Sequence, residues 1–379
     1  MERQIVHLDL DTFFVSVERL INSKLIGKPV LIGGTSDRAV VASCSYEARQ
    51  YGVHSAMPMR LARQLCPDAI IVRGDYDQYS KYSKTITDIL TEAAPTIEKA
   101  SIDEFYLDIS GLDRYFGCLK WTKELRQKVI KETGLPISFG LSENKTVSKV
   151  ATGEAKPNGE LDIPIGNEKH FLAPLSIKKI PMVGDKTYKQ LRAMGLDKIR
   201  VIQEMPAELM EQVLGENGRT IWNKANGIDR SPVIPYTEQK SISAERTFER
   251  DTTDMLLLRK ELITMVDNLS FDLRKKEKLT GCIAIKIRYS NFDTHVKQAR
   301  IPYTSSEITI VQKILELFQQ LYSRRMMIRL IGIKFSDLIS GGMQIDLFND
   351  SIEQVNLSRA LDSIKNRFGS SMVMKAISL

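Results

Sequence analysis

The spacing of apolar positions changes character several times along the first 170 residues. "QIVHLDL" (4–10) is a short, nearly continuous apolar run and predicts a buried strand; "TFFVSVERLINS" after it follows a helical period. "KPVLIGG" and "AVVASCSYEARQYG" predict two further strands and the start of a helix, broken at Gly33-Gly34. "YDQYSKYSKTITDILTEAAP" is helical in period and Pro95 stops it, and "TIEKASIDEFYLDISGL" holds two strand-like pieces. "WTKELRQKVIKETG" predicts an amphipathic helix ended by Gly134, and "PISFGLSENKTVSKVAT" a strand followed by a helix. Strands and helices mix without a strict βαβ rhythm, so an α+β domain is expected.

Past residue 168 the strand patterns stop. "SIKKIPMVGDKTYKQLRAMGL" and "AELMEQVLGENGRTIWNKANG" predict short helices divided by Gly and Pro, and "RSPVIPYTEQK" (230–240) a linker. A strand ("SISAERTFE"), a long helix, "CIAIKIRYSN", a second helix and "MIRLIGIKFSDL" then predict a smaller α/β domain. No repeat or low-complexity tract interrupts the 379 residues.

Composition changes this picture in one respect. Lys and Arg outnumber Asp and Glu by 54 to 47, for a net charge of +7. Residues 240–341 alone carry 18 Lys and Arg against 12 Asp and Glu, an excess of six. A basic second domain points to a polyanionic partner. The four cysteines are scattered without a CxxC pair, which argues against zinc or a disulfide framework and for a reducing cytosol. With a polar start and no long apolar stretch, the chain is expected to be soluble and cytoplasmic, with no membrane association.

The chemistry gathers around acids. Asp103 and Glu104 are adjacent in a strand-like run, where neighbouring side chains point to opposite faces. At a hairpin tip they can act together, and the flanking strands place them there. Asp9 ends the first predicted strand; if the strands are neighbours, three carboxylates meet at one edge, and only divalent metal would make that charge tolerable. Read alone, Asp103 can equally be a turn residue and Glu104 a solvated strand end. Asp11, on the same face as Asp9, is a supporting or merely surface residue. "SYEAR" can be an ordinary helix start and "KPNG" a turn with an exposed lysine.

"HLDLDTFFVSVE" (7–18), "SYEARQYGV" (45–53), "SIDEFYLDIS" (101–110) and "AKPNG" (155–159), with "KSISAERTFERD" (240–251), resemble in order and separation the motifs of Y-family DNA polymerases. Over roughly residues 1–340 the likeness is to the DinB or polymerase IV branch. It implies a right-hand polymerase: palm at 1–20 and 77–168, fingers at 21–76, thumb at 169–231, linker at 232–240, and an α/β little finger at 241–341. The tail, 342–379, holds a clamp-binding motif and a predicted helix.

The resemblance also implies roles. Asp9, Asp103 and Glu104 would be the catalytic metal ligands, with the main-chain carbonyl of Leu10, holding two Mg²⁺ ions. Ser43, Tyr46, Arg49 and Lys156 would contact the triphosphate of a deoxynucleoside triphosphate. Phe13 and Phe14 lie at the nucleotide; Phe14 falls at the steric gate that excludes a 2′-hydroxyl, and Phe13 suits core packing. Val183, Gly184 and Lys186 resemble a helix-hairpin-helix grip on DNA phosphate, with Met182 where a glycine is common. Lys240, Arg246, Lys275, Lys276, Lys286, Arg288, Lys297 and Arg300 would lie along primer-template DNA. Gln344, Leu347 and Phe348 resemble a motif for the bacterial sliding clamp. The implied reaction is low-fidelity, translesion DNA synthesis by a monomer. A nucleotidyl cyclase shares the acids but needs no basic second domain; a non-catalytic DNA-binding protein has no use for the three acids.

Overall fold

The computed structural model describes residues 3–112, 117–324, 326–341, 352–369 and 373, in two compact units, Met1–Thr237 and Glu238–Leu379. The first unit begins with β1 (Ile5–Leu10), α1 (Phe13–Ile21), β2 (Val30–Gly33), β3 (Val41–Cys44), α2 (Tyr46–Arg49), α3 (Met59–Leu65) and β4 (Ile70–Val72). It continues with α4 (Tyr76–Ala93), β5 (Thr96–Lys99), β6 (Glu104–Asp108), α5 (Cys118–Thr133), β7 (Ile137–Ser142), α6 (Lys145–Ala155) and β8 (Glu160–Asp162). Five of these strands form one sheet in the order β5-β6-β1-β7-β8, and β3-β2-β4 form a second.

The central position of β1 explains its apolar run. Flanked antiparallel by β6 and β7, Ile5, Val6 and Leu8 are wholly enclosed, Val6 and Leu8 in a core shared with Phe105, Leu107, Phe139 and α4 and Ile5 on the opposite face. Helix ends follow local chemistry: the Asp75 carboxylate accepts the Asp77 and Gln78 N–H groups at the start of α4, and Gly134 closes α5 at φ 72°. Gly140 of β7 has a packing reason. A Cβ there would lie 2.2 Å from the Ser148 carbonyl oxygen and 2.6 Å from the Thr152 nitrogen, so glycine lets α6 settle directly on the sheet.

From residue 168 the unit is helical: α7 (Glu168–Leu172), α8 (Asp185–Ala193), α9 (Ile199–Glu204), α10 (Ala207–Leu214) and α11 (Glu216–Ala225) close over a core shared with Val147, Val150 and Ala151 of α6. The predicted linker is only partly free of the fold. Val233 is buried against Ile5 and Tyr106, Arg3 donates to the Asp229 and Ser231 carbonyls, and Glu98 accepts the Ile234 N–H at 2.7 Å.

The second unit has β9 (Ser241–Thr252), α12 (Met255–Lys275), β10 (Lys278–Tyr289), β11 (Thr294–Thr304), α13 (Glu307–Leu321), β12 (Ile328–Ser340) and α14 (Ile352–Phe368). Its sheet runs β11-β10-β12-β9, with α12 and α13 packed on one face. Strand β11 has no counterpart in the sequence pattern because, at the sheet edge, it alternates exposed with half-buried residues and carries no apolar run. Helix α14 docks on α12 through ion pairs, Arg274 with Asp362 at 2.6 Å and Lys365 with Asp267 at 2.7 Å. The α+β class holds. All four cysteines are free, and among the described residues no helix is long and apolar enough to cross a membrane.

Candidate active site

The site lies at one end of the five-stranded sheet. The β1–β6 register sets Asp9 directly opposite Glu104, so the two carboxylates share a face. The β5–β6 connection is a tight turn closed by Ser101, whose hydroxyl accepts the Asp103 and Glu104 N–H groups and donates to an Asp103 carboxylate oxygen at 2.5 Å. Asp103 is fixed to the same edge by its carbonyl, which accepts the Leu10 N–H at 3.1 Å. Adjacent acids are therefore usable because one of them ends the strand.

Each acid has its own donor. Lys149 of α6 lies 2.6 Å from both Glu104 oxygens, and Lys156, the residue ending α6, lies 2.5 Å from Asp9. Burial pushes the Asp9 carboxyl up to about 6; Lys156 pulls it down, and the charges of Glu104 and Asp103 add to the rise. In this arrangement no three acidic, histidine or cysteine side chains among the described residues gather closely enough to hold one ion. The donor chemistry nonetheless fits Mg²⁺: three hard carboxylates at a single sheet edge.

Asp11, left between two readings by the sequence, is almost wholly buried and organises the neighbouring motif. It accepts the Ser138 hydroxyl at 2.9 Å, the Asn158 N–H at 2.6 Å and the Tyr46 phenol at 3.3 Å. Arg126 holds the Asn158 carbonyl at 2.7 Å. A Cβ at Gly159 would lie 1.9 Å from the Ala155 carbonyl oxygen, so "KPNG" needs its glycine. Arg126, Ser138 and Lys149 are site residues that sequence reasoning missed; an isolated Arg, Ser or Lys on an amphipathic helix or strand carries no signal.

A cleft of about 170 Å³ joins the motifs. Asp9, Leu10, Phe13, Phe14, Ser43, Arg49, Asp103 and Lys156 line it. Phe13 is buried in the core, as its alternative reading had it. Phe14 stacks on Tyr79 with ring centres 4.3 Å apart and planes at 13°, and the Tyr79 hydroxyl donates to Glu18 at 2.6 Å. Tyr46 stands at the start of α2 beneath the Arg49 guanidinium, 5.0 Å from its ring centre. Burial first, then the nearby Asp11 charge, raises the Tyr46 phenol and keeps it protonated.

The candidate DNA contacts divide. In the second sheet Ile283, Ile285 and Ile287 face the helices, so Lys286 and Arg288 face away from them. Arg300, paired with Cys282, and Lys334, paired with Ala284, share that open face. Lys334 escaped the sequence reading. Lys297 pairs with Ile285 and Arg246 with Ile331, which turns both toward the helix side; Arg246 is bound to Glu261 of α12 at 2.6 Å. Lys275 and Lys276 lie at the end of α12, and Lys240 is exposed just before β9. At the turn before α8, the Val183 and Gly184 N–H groups already donate to the Ile180 and Met182 carbonyls, and Met182 takes φ 81°, a conformation suited to glycine. Lys186 is exposed there. Gln344, Leu347 and Phe348 lie outside the described residues.

Comparison with known proteins gives the family. A model of the impB/mucB/samB family matches residues 8–153, and a model of that family's C-terminal domain matches residues 239–347. DNA polymerase IV of Dehalococcoides mccartyi strain CBDB1 is 36% identical over 375 residues, 98% of this chain and 96% of the relative. DNA polymerase IV of Staphylococcus aureus strain Newman is 36% identical over 340 residues, 89% of this chain and 96% of the relative. Among solved structures, the Y-family DNA polymerase chimera Dbh-Dpo4(243-245)-Dbh superposes with a TM-score of 0.80 at 25% identity, covering 89% of this chain and 100% of that one. Both family domains are present in order and the relatives match over nearly full length, so the chain belongs to the impB/mucB/samB family and is a Y-family, DinB-type, DNA-directed DNA polymerase of the translesion kind.

Proposed function

We propose that Asp9, Asp103 and Glu104, with the main-chain carbonyl of Leu10, would hold two Mg²⁺ ions, and that the cleft beside them aligns a primer 3′-hydroxyl for attack on the α-phosphate of a deoxynucleotide. The observation that carries this reading is the single cleft into which separate stretches of sequence send Asp9, Phe14, Ser43, Arg49, Asp103 and Lys156. When bound, the divalent ions supply charge neutralisation at phosphorus and acidify the attacking hydroxyl. The chain's own groups do the rest. Lys156 and Arg49 are cations that take triphosphate oxygens, and the Ser43 and Tyr46 hydroxyls donate to them. Phe14, backed by Tyr79, forms a flat floor under the sugar. Positioning and charge, rather than covalent chemistry, drive the displacement of pyrophosphate.

In this reading the five-stranded sheet belongs to the palm (1–20 and 77–168), the three-stranded sheet to the fingers (21–76) and α7–α11 to the thumb (169–231). A linker follows (232–240), then the little finger (241–341). Its open face, with Lys286, Arg288, Arg300 and Lys334, runs along the phosphates of primer-template DNA. Similarity to Dbh DNA polymerase, solved as an insertion ternary complex and a post-insertion binary complex, supports template DNA and nucleotide as partners. Gln344, Leu347 and Phe348 bind a sliding clamp, and the enzyme works as a cytoplasmic monomer.

Asp103→Asn tests the metal assignment: nucleotide addition should fall on the order of 10²-fold or more, and undiminished addition would overturn it. Truncation after Gly342 should abolish stimulation by the clamp and spare basal extension; loss of both would give the tail a folding role instead.

A further inference from the structure

The sheet edge that carries the acids is backed by one face of α6. Lys149, Thr152 and Lys156 recur along it at helical spacing. Thr152 donates to the His7 carbonyl at 2.9 Å, which ties the helix to β1 two residues before Asp9. Gly140 removes the side chain that would hold α6 off the sheet. The helix is therefore a fixed ledge, and its two lysines meet two different carboxylates: Lys156 the Asp9 side chain, Lys149 the Glu104 side chain. The Lys149 contact is symmetric, 2.6 Å to each Glu104 oxygen, with both side chains two-thirds or more buried.

We propose that Lys149 is a positioning residue of nucleotidyl transfer: it fixes the Glu104 carboxylate in the plane facing Asp9 and balances its charge. A glutamate has three rotatable side-chain bonds, and Glu104 is the first residue of β6, so its backbone register fixes the face it takes but not where its oxygens lie. An ammonium donating to both oxygens from a rigid helix sets it. Each carboxylate oxygen keeps a second lone pair for a metal ion. Lys149 thus differs in role from Lys156, which lines the nucleotide cleft; Lys149 does not. The inference rests on Glu104 being a ligand of the proposed metal site.

The test compares Lys149→Met, Lys149→Arg and Glu104→Ala with wild type in steady-state primer extension. Mn²⁺ binding is followed by electron paramagnetic resonance, and folding by melting temperature. Lys149→Met should lower kcat about 10- to 100-fold, the scale of a small misplacement of a reacting group. It should leave KM for the nucleotide unchanged and keep Mn²⁺ bound. Lys149→Arg, which still donates to both oxygens, should restore most of the rate. Wild-type or faster turnover in Lys149→Met, with Glu104→Ala inactive, would overturn the role of Lys149 alone. Full turnover in Glu104→Ala would overturn the metal assignment beneath it. Should Lys149→Met fail to fold, Lys149→Gln, which keeps a donor, takes its place; a loss of rate that only tracks melting temperature and is not restored by Arg would make Lys149 merely structural.

Discussion

At the scale of single residues, the site is a set of charges held by unlike partners. Asp9 is the most strained of them, since burial and two neighbouring acids disfavour its ionised form. A metal ligand must be ionised, and without metal burial and the neighbouring acids push this carboxyl up to about 6, so at limiting Mg²⁺ turnover should fall as pH drops toward about 6. Proton and metal compete for one carboxylate, so raising Mg²⁺ should move that acid limb to lower pH; a limb insensitive to Mg²⁺ would place the titration elsewhere. The same shift has a sign in stability. The folded protein binds the Asp9 proton more tightly than the unfolded chain, so in metal-free protein this group's contribution is present at low pH and lost as pH rises through about 6. Phe14→Ala should admit ribonucleotides, and Tyr79→Leu, which removes the ring stacked on Phe14, should loosen sugar selection less; competition between the two nucleotide types in extension reads both. The facing acids were legible in the sequence because a strand end and a hairpin tip have few places to put them. Lys149, Arg126 and Ser138 were not, since their meaning lies in residues 32 to 127 positions away.

At the scale of elements, the packing of α6 on β7 places the ledge on which two lysines stand. Gly140→Ala should destabilise the first unit by about 2–3 kcal/mol, because its Cβ meets backbone that cannot retreat. In a unit of this size that is a drop of roughly 4–12 °C in melting temperature; an unchanged transition would show that α6 can lift. Strand and helix patterns were readable over most elements with one buried face, α3 excepted. They failed at β11, an edge strand, and at β4 and β8, which are three residues each. The turn before α8 gave a mixed result. Its helix is where the pattern puts it, yet the Val183 and Gly184 N–H groups expected to meet phosphate are already satisfied within the chain.

At the scale of the molecule, the chain is a catalytic unit and a basic unit, and part of the charge of the second lies where a sheet can present it. Lys286, Arg288, Arg300 and Lys334 share the open face, whereas Arg246 and Lys297 do not. Replacing the four by Ala should flatten the dependence of DNA affinity on salt by about 0.9 in log–log slope for each phosphate left without its cation. The same change at Arg246 and Lys297 should leave the slope nearly unmoved. Equal effects from both sets would mean that the open face is not the DNA surface. The sequence revealed how much charge the second unit carries; only strand register says which side it faces. The central claim, that this edge of carboxylates performs templated nucleotide addition, is tested most directly by primer extension on an undamaged template with Mg²⁺ and the four deoxynucleotides, wild type beside Glu104→Ala. Extension by the wild type alone is the predicted result; equal extension by both, or extension by neither with tight DNA binding retained, would contradict it.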